Sequence, residues 1–260
     1  FRSETSLQKH NWSYCIYKYP GHSRKVVYYF HGLTGSERDW EKYTEKDMLQ
    51  QWERTGQPPP IVVSVSFGKV WFLAEQNSSL SSGLFEVYRD EVWPFLQARL
   101  NSQFPQEHIL LGYSMGGLNA SQLYFKMPQR FSRAALICGA MATVSPHADE
   151  ADVTDYIKRT GAKRIHVLAA LQISRHYFPT EVDWQKHSPL NLMVNGLTPL
   201  SPPIYMSNGL ADEFGFHEGN QVFVGNAKSL QAPISSDFFP GGGHCHVDQR
   251  VIADFLVDLH

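Results

Sequence analysis

The run Gly112-Tyr113-Ser114-Met115-Gly116-Gly117 carries a G-x-S-x-G pattern between a short apolar segment, HILLGY, and a stretch of small residues that reads as helix. In a strand-to-helix context the pattern has physical meaning. The turn crowds the backbone so tightly that side chains at positions 112 and 116 would clash, and Ser114 is left exposed at the top of its strand. The helix N-terminus beside it offers unpaired N–H groups and a dipole that favours developing negative charge. A serine placed there is suited to attack an acyl carbon. The same letters also occur as an ordinary glycine-rich turn, so the reading rests on the partners this chemistry needs.

A protonated serine oxygen is a weak nucleophile and requires a base. Behind such an elbow the partners follow in the order Ser, Asp or Glu, His. Asp212 lies in GLADEFG, just past the run PIYMSNG, and His244 lies in PGGGHCHVDQ, just past ISSDFF. His244 would take the serine proton and return it to the leaving group, while Asp212 would orient the imidazole and stabilise its protonated form. Glu213 and Asp237 are the rival acids, and His246 is the rival base. The glycines 241–243 favour His244, because a glycine loop suits presentation of the residue that follows it. An oxyanion pocket needs two donors. The N–H of Met115 is one, and the loop His31-Gly32-Leu33-Thr34-Gly35 supplies the other, Leu33 being preferred to Gly32.

His244-Cys245-His246 invites a metal reading but lacks a second spaced ligand pair. No G-x-G-x-x-G, Walker A or H-E-x-x-H sequence occurs, so neither a nucleotide nor a metal cofactor is expected. Cys15, Cys138 and Cys245 lie far apart and form no disulfide framework, although one bridge stays open. Cys138, inside AALICGA, reads as a small buried side chain.

The elements that must position these residues alternate along the first half. Strands are expected at Lys25–Phe30, Ile61–Phe67, His108–Tyr113 and Arg133–Gly139. Helices are expected at about Glu37–Trp52, Leu84–Leu100 (with Pro94 weakening it locally) and Met115–Met127. WSYCIYKY reads as an antiparallel edge strand. Strands separated by helical patterns imply βαβ units, hence a mostly parallel sheet with helices on both faces. Residues 141–202 break the rhythm. HADEADVTDYIKRTG reads as helix, IHVLAALQI as strand or helix, and the following Pro- and aromatic-rich stretch has no clean period. The expectation is an insertion over the mouth of the site, a lid or substrate wall within a single domain of residues 1–260. Regularity returns with a strand at PIYMSNG, a helix at Glu218–Leu230, a strand at ISSDFF and a helix at Asp248–Leu259.

With 42% apolar and 18% charged residues, the 260-residue chain is long enough for one large domain and is globular in composition. Its formal charge of −2 comes from 23 basic and 25 acidic residues, and no basic stripe points to nucleic acid. No apolar run approaches a membrane span. The chain opens at Phe1 rather than Met and reads as a trimmed, mature or truncated product. Its compartment, cytoplasmic or exported, and its oligomeric state stay open at this stage.

Six landmarks taken together resemble the esterase D family of α/β-hydrolases, the group of S-formylglutathione hydrolases, feruloyl and acetylxylan esterases, enterochelin-type esterases and mycolyltransferases. They are YYFHGLTGSERDW, IVVSVSFGKVWF, FEVYRDEVWPFL, ILLGYSMGGLNA, PPIYMSNGLADEFGFHEGN and FPGGGHCHVDQRVIADFL, from about residue 25 to the C-terminus. The likeness is weakest over 141–202. The resemblance implies Ser114 as nucleophile, Asp212 as acid, His244 as base and Leu33 and Met115 as oxyanion donors. It also implies Trp71 as an aromatic that touches substrate. Family members often carry an aromatic or acidic residue just after the catalytic histidine, where this chain has Cys245-His246; the wall there, or the substrate preference, differs. The expected activity is hydrolysis of a small-molecule or glycan-linked carboxylic ester through an acyl-enzyme, on carbohydrate-linked or aryl esters. Alternatives are acyl transfer to a sugar or other alcohol, and a catalytically silent binding protein on the same fold. The polar run SRHYFPTEVDWQKHS tilts the expectation toward carbohydrate-linked esters.

Overall fold

Successive side chains of a strand point to opposite faces of its sheet, so a strand apolar at every position must be covered on both sides. KVVYYF and IVVSVS come close to this, interrupted only by Lys25, Ser64 and Ser66, and their burial is nearly complete. The computed structural model describes residues 2–4, 11–75, 83–100 and 106–259. Among these, eight strands form one sheet: β1 (Arg2–Glu4), β2 (Asn11–Tyr17), β3 (Lys25–Phe30), β4 (Ile61–Ser66), β5 (Glu107–Tyr113), β6 (Arg133–Ile137), β7 (Ile204–Gly209) and β8 (Ile234–Phe239). Their order is β1-β2-β4-β3-β5-β6-β7-β8. The β1–β2 and β2–β4 pairs are antiparallel and all the others parallel. This is the mostly parallel, helix-flanked sheet of the α/β-hydrolase fold.

The helices are α1 (Glu45–Arg54), α2 (Leu84–Val87), α3 (Trp93–Leu100), α4 (Met115–Lys126), α5 (Glu150–Thr160), α6 (Arg164–Tyr177), α7 (Glu181–His187), α8 (Pro189–Gly196), α9 (Phe216–Ser229) and α10 (Gln249–Leu256). Val26, Tyr28 and Phe30 face a core shared with Leu96 of α3, Leu123 of α4 and Phe223 of α9. Val27 and Tyr29 face the opposite core, shared with Trp52 of α1 and Ile252 and Leu256 of α10. The indole N–H of Trp52 donates to the Ala253 carbonyl at 2.9 Å and ties these two helices together.

The register places functional loops side by side. Phe30 pairs with Gly112, Tyr113 with Ile137, and Gly209 with Phe239. The parallel strands therefore end at one edge, where open α/β sheets gather their sites.

Three expectations need correction. The strand at WSYCIYKY is not an edge, because β1 pairs on its outer side. The helix expected at Leu84–Leu100 is interrupted by a π turn at Tyr88–Val92. Pro94 lacks an N–H and crowds the carbonyl four residues back, and widening the preceding turn accommodates it. The aperiodic stretch after Ile173 holds two short helices, α7 and α8. The first begins in a capping box between Thr180 and Asp183, and the second has Pro189 in its first turn. IHVLAALQI, ambiguous by pattern, is helix. No helix among the described residues is long and apolar enough to cross a membrane.

Candidate active site

Ser114 stands between the last residue of β5 and the first of α4, at φ 55° and ψ −116°. A non-glycine residue holds such a conformation only when its surroundings dictate it. Here they do. A Cβ on Gly112 would lie 2.2 Å from the Gly116 carbonyl oxygen, and one on Gly116 would lie 2.0 Å from that of Phe30. The Ser114 N–H donates to Ile137 at 2.9 Å, and its carbonyl accepts from Leu118 and Ala140, each at 3.1 Å.

The side chain of Ser114 meets the imidazole of His244, with Oγ 2.8 Å from Nε2. On the other side of the ring, Nδ1 is 3.0 Å from Oδ2 of Asp212. A carboxylate can only accept, so Nδ1 carries the proton and a neutral ring leaves Nε2 free to accept from the serine hydroxyl. Asp212 is 1% exposed. Burial raises its carboxyl pKa, but hydrogen bonds and charge from His244, the Phe214 N–H at 2.8 Å and Asn208 at 3.1 Å outweigh that and hold it below the usual carboxylate range.

The rivals lie elsewhere. Asp237 accepts from the Tyr205 hydroxyl at 2.9 Å. His246 packs edge-on against Phe239. Glu213 holds the loop, not the ring: its carboxylate accepts the backbone N–H of His244 at 2.9 Å, a bond that keeps its pKa low.

Opposite the histidine, the loop after β3 passes close to the serine; a Cβ on Gly32 would lie 3.7 Å from Ser114 Cβ. The Leu33 N–H has no acceptor among the described residues. That of Met115 is the first of α4 and has no partner within its helix. His31, whose side chain the sequence reading left without a role, sits buried behind this loop. Its Nδ1 is 2.7 Å from the Gly32 carbonyl, and its Nε2 is 2.7 Å from Ser66 Oγ. Because a carbonyl only accepts, Nδ1–H donates and Nε2 takes the Ser66 hydroxyl proton as acceptor. Gly35 N–H also donates to the Gly32 carbonyl, at 3.0 Å. In a trans peptide the C=O and the next N–H point in opposite directions. Holding Gly32 C=O toward His31 therefore turns the Leu33 N–H away from it. A histidine directly before the loop glycine was the available signal.

Cys138 and Cys245 form a disulfide across a separation of 107 residues. Cys138 is buried, as expected, but it is not merely a small apolar side chain. It anchors the loop bearing His244 to the end of β6. Both cysteines have positive φ, 43° and 60°. Cys138, His244 and Cys245 lie close enough together to suggest a metal site. With both sulfurs bonded to each other, neither is a thiolate, and the His244 ring nitrogens face Ser114 and Asp212.

A cavity adjoins this group. Its walls include Trp71, Leu118, Phe178, Trp184, Phe214 and Phe216. The rings of Phe214 and Phe216 lie 4.9 and 5.8 Å from that of His244. Trp71 is 5% exposed, with its ring 6.4 Å from Phe216 and its backbone N–H donating to the Tyr177 hydroxyl at 3.1 Å.

Comparison with known proteins agrees with this architecture. The model of the Esterase family matches residues 9–246. A search of curated proteins finds no match. Among solved structures, an S-formylglutathione hydrolase from Agrobacterium tumefaciens is 17% identical with a TM-score of 0.65, over 100% of this chain and 91% of that one. An arylesterase is 16% identical with a TM-score of 0.70, over 100% and 84%. A ferulic acid esterase is 14% identical with a TM-score of 0.61, over 100% and 97%. At these identities the likeness is one of fold.

Proposed function

The chain belongs to the Esterase family, and from that premise we propose that it is a serine carboxylic-ester hydrolase that works through an acyl-enzyme on Ser114. The observation that carries the proposal is the continuous contact from Ser114 Oγ to His244 Nε2 and from His244 Nδ1 to Asp212, at 2.8 and 3.0 Å. That is the hydrogen-bonding order a hydroxyl nucleophile needs.

In this reading the substrate carbonyl lies against Ser114 with its oxygen toward the N–H groups of Leu33 and Met115. Oγ attacks the carbonyl carbon as His244 Nε2 takes the hydroxyl proton. The new imidazolium is stabilised by the Asp212 carboxylate. The C–O bond to the alcohol breaks, His244 gives its proton to the departing oxygen, and the acyl group remains on Ser114. Water then attacks the acyl carbon, His244 takes its proton, and return of that proton to Oγ releases the acid. The two N–H groups act on charge that appears only in the tetrahedral intermediate, so they favour the transition state over bound substrate. His31 and Ser66 position the Leu33 donor. Glu213 and the disulfide position His244.

Turnover of p-nitrophenyl esters by the wild type and by Ser114→Ala tests this. The variant should lose at least roughly a thousandfold in kcat while keeping its fold by circular dichroism. Retained turnover would remove Ser114 from the chemistry.

A further inference from the structure

The letters His244-Cys245-His246 invite a metal reading, and the fold keeps two of the three. His246 turns aside to pack against Phe239. Cys138 arrives instead from the end of β6, and one ligand atom each from Cys138, His244 and Cys245 lie within 4.8 Å of one another. Two thiolates and an imidazole form an open zinc ligand set, with the fourth position left to water. The bond between the sulfurs withholds that set, because a sulfur in a disulfide is not a thiolate. The frame around the cysteines does not depend on the bridge. The Cys138 N–H donates to the Ser207 carbonyl at 2.7 Å, and its neighbours Ile137 and Ala140 are both hydrogen-bonded to the backbone of Ser114. Across the bridge, the Gly242 carbonyl accepts from Ala211 at 2.8 Å and the His246 N–H donates to Gly243 at 3.0 Å. Glu213 takes the N–H of His244. Backbone bonds thus hold both loops on either side of the cysteines, and a cleaved bridge leaves the two sulfurs facing each other.

We infer that the Cys138–Cys245 pair is a masked cation site: once the bridge is reduced, Cys138, Cys245 and His244 bind a zinc ion, and the bound ion withdraws His244 from Ser114. A phosphine and water reduce the bridge to two thiols and leave the phosphine oxide. A small-molecule thiol does the same by two exchanges and ends as its own disulfide. Zinc then displaces the two thiol protons. At its usual bond lengths, tetrahedral zinc sets sulfur and nitrogen ligands roughly 3.5–3.8 Å apart, so the freed sulfurs part and the imidazole closes by about 1 Å. Thiolate and imidazole suit a borderline-soft cation, whereas magnesium and calcium take oxygen ligands and are not bound here. A ring nitrogen that coordinates zinc cannot also serve the proton relay. Coordination through Nε2 takes the acceptor of the Ser114 hydroxyl, and coordination through Nδ1 takes the nitrogen that faces Asp212. Either one stops proton transfer. The loss of turnover rests on the hydrolase reading above; the cation site does not.

The test uses the protein carrying Cys15→Ser, which removes the third thiol and should leave activity unchanged. Cobalt(II) is the first probe, added to the oxidised and the phosphine-reduced forms. The reduced form should take up one cobalt per chain, with the visible bands of a tetrahedral ion and the charge-transfer absorption of cobalt–thiolate bonds. Zinc should displace it and remove both. The oxidised form should bind at least about 100-fold more weakly. Cys138→Ser or Cys245→Ser should weaken binding by the reduced form about 100-fold, and His244→Ala should weaken it at least about tenfold while keeping the thiolate absorption. On p-nitrophenyl acetate, one equivalent of zinc should lower turnover by the reduced form at least about tenfold, spare the oxidised form, and be reversed by a chelator. Reduced protein that stays folded by circular dichroism yet shows no cobalt–thiolate absorption would overturn the site. Reduced protein that unfolds would overturn it as well, since the loops would not then hold the thiols together. Cobalt bound with turnover intact would overturn the withdrawal of His244. A cobalt site on a protein inactive toward esters in both states would overturn the hydrolase reading and leave the cation site standing.

Discussion

The carboxylate of Glu213 accepts the backbone N–H of His244 at 2.9 Å, while its neighbour Asp212 accepts from the ring of the same histidine at 3.0 Å. Two adjacent acids thus hold one residue by its main chain and by its side chain. Loss of one such bond costs on the order of 1 kcal/mol. Glu213→Ala, which removes the acceptor, should therefore lower kcat about fivefold with little change in KM. A steady-state comparison checks the split, and an unchanged kcat would deny Glu213 a positioning role.

The same pair sets an acid limit on stability. Both carboxyls have folded pKa values below the ordinary range, Glu213 chiefly through the His244 N–H, and Asp212 through bonds that overcome its burial. A depressed folded pKa contributes stability that is present above the unfolded value, about 4, and is lost as pH falls through the folded value. Thermal unfolding of wild type and Glu213→Gln should differ most near neutral pH and converge as the pH drops below about 4. A gap that widened in acid would contradict the assigned direction.

His31 makes a sharper prediction, because its ring can be replaced by one of similar shape with no nitrogen. His31→Phe removes the donor that fixes the Gly32 carbonyl, and the Leu33 N–H loses its alignment. Deleting an oxyanion donor outright costs about 100- to 1000-fold in kcat. Misaligning one should cost roughly 10- to 100-fold, again with KM nearly constant. Ser66→Ala, one step further back, should show a smaller loss of the same kind.

The disulfide closes a loop of 107 residues in separation, and a disulfide typically contributes about 2–4 kcal/mol. Replacing Cys138 and Cys245 with serine should lower Tm by roughly 5–10 °C. A reductant should have the same effect on the wild type and none on the double variant, since Cys15 is the remaining cysteine.

Two glycines on helices separate close approach from mere flexibility. A Cβ on Gly116 would meet the Phe30 carbonyl at 2.0 Å, whereas one on Gly225 meets nothing within 4 Å. Gly116→Ala should abolish soluble expression or activity. Gly225→Ala should stabilise the protein by about 0.5–1 kcal/mol through helix propensity alone. Urea unfolding of the second variant and expression of the first are sufficient measurements.

These residues also mark what a sequence can carry. The parallel strands were legible because both faces of β3, β4 and the middle of β5 are buried, which favours apolar runs such as VVYYF, IVV and ILL. The elbow was legible because two backbone contacts exclude any side chain at positions 112 and 116. Asp212 and His244 were legible because loops after neighbouring parallel strands gather at one edge. Helix α7 was not, because it buries none of its residues and so has no apolar period; its capping box and Ser188-Pro189 were the readable signals. The disulfide joins residues with no local pattern between them. The task of Glu213 depends on which way one carboxylate turns, and that is settled by tertiary packing.

The central claim is that Ser114, made nucleophilic by His244, is where the acyl group is carried. Intact-protein mass spectrometry after treatment with a fluorophosphonate, followed by peptide mapping, tests it most directly. The expected result is a single adduct on Ser114, absent from Ser114→Ala and formed at least roughly a hundredfold more slowly in His244→Ala. No adduct on the folded protein, or an adduct on another residue with Ser114 unmodified, would contradict the account.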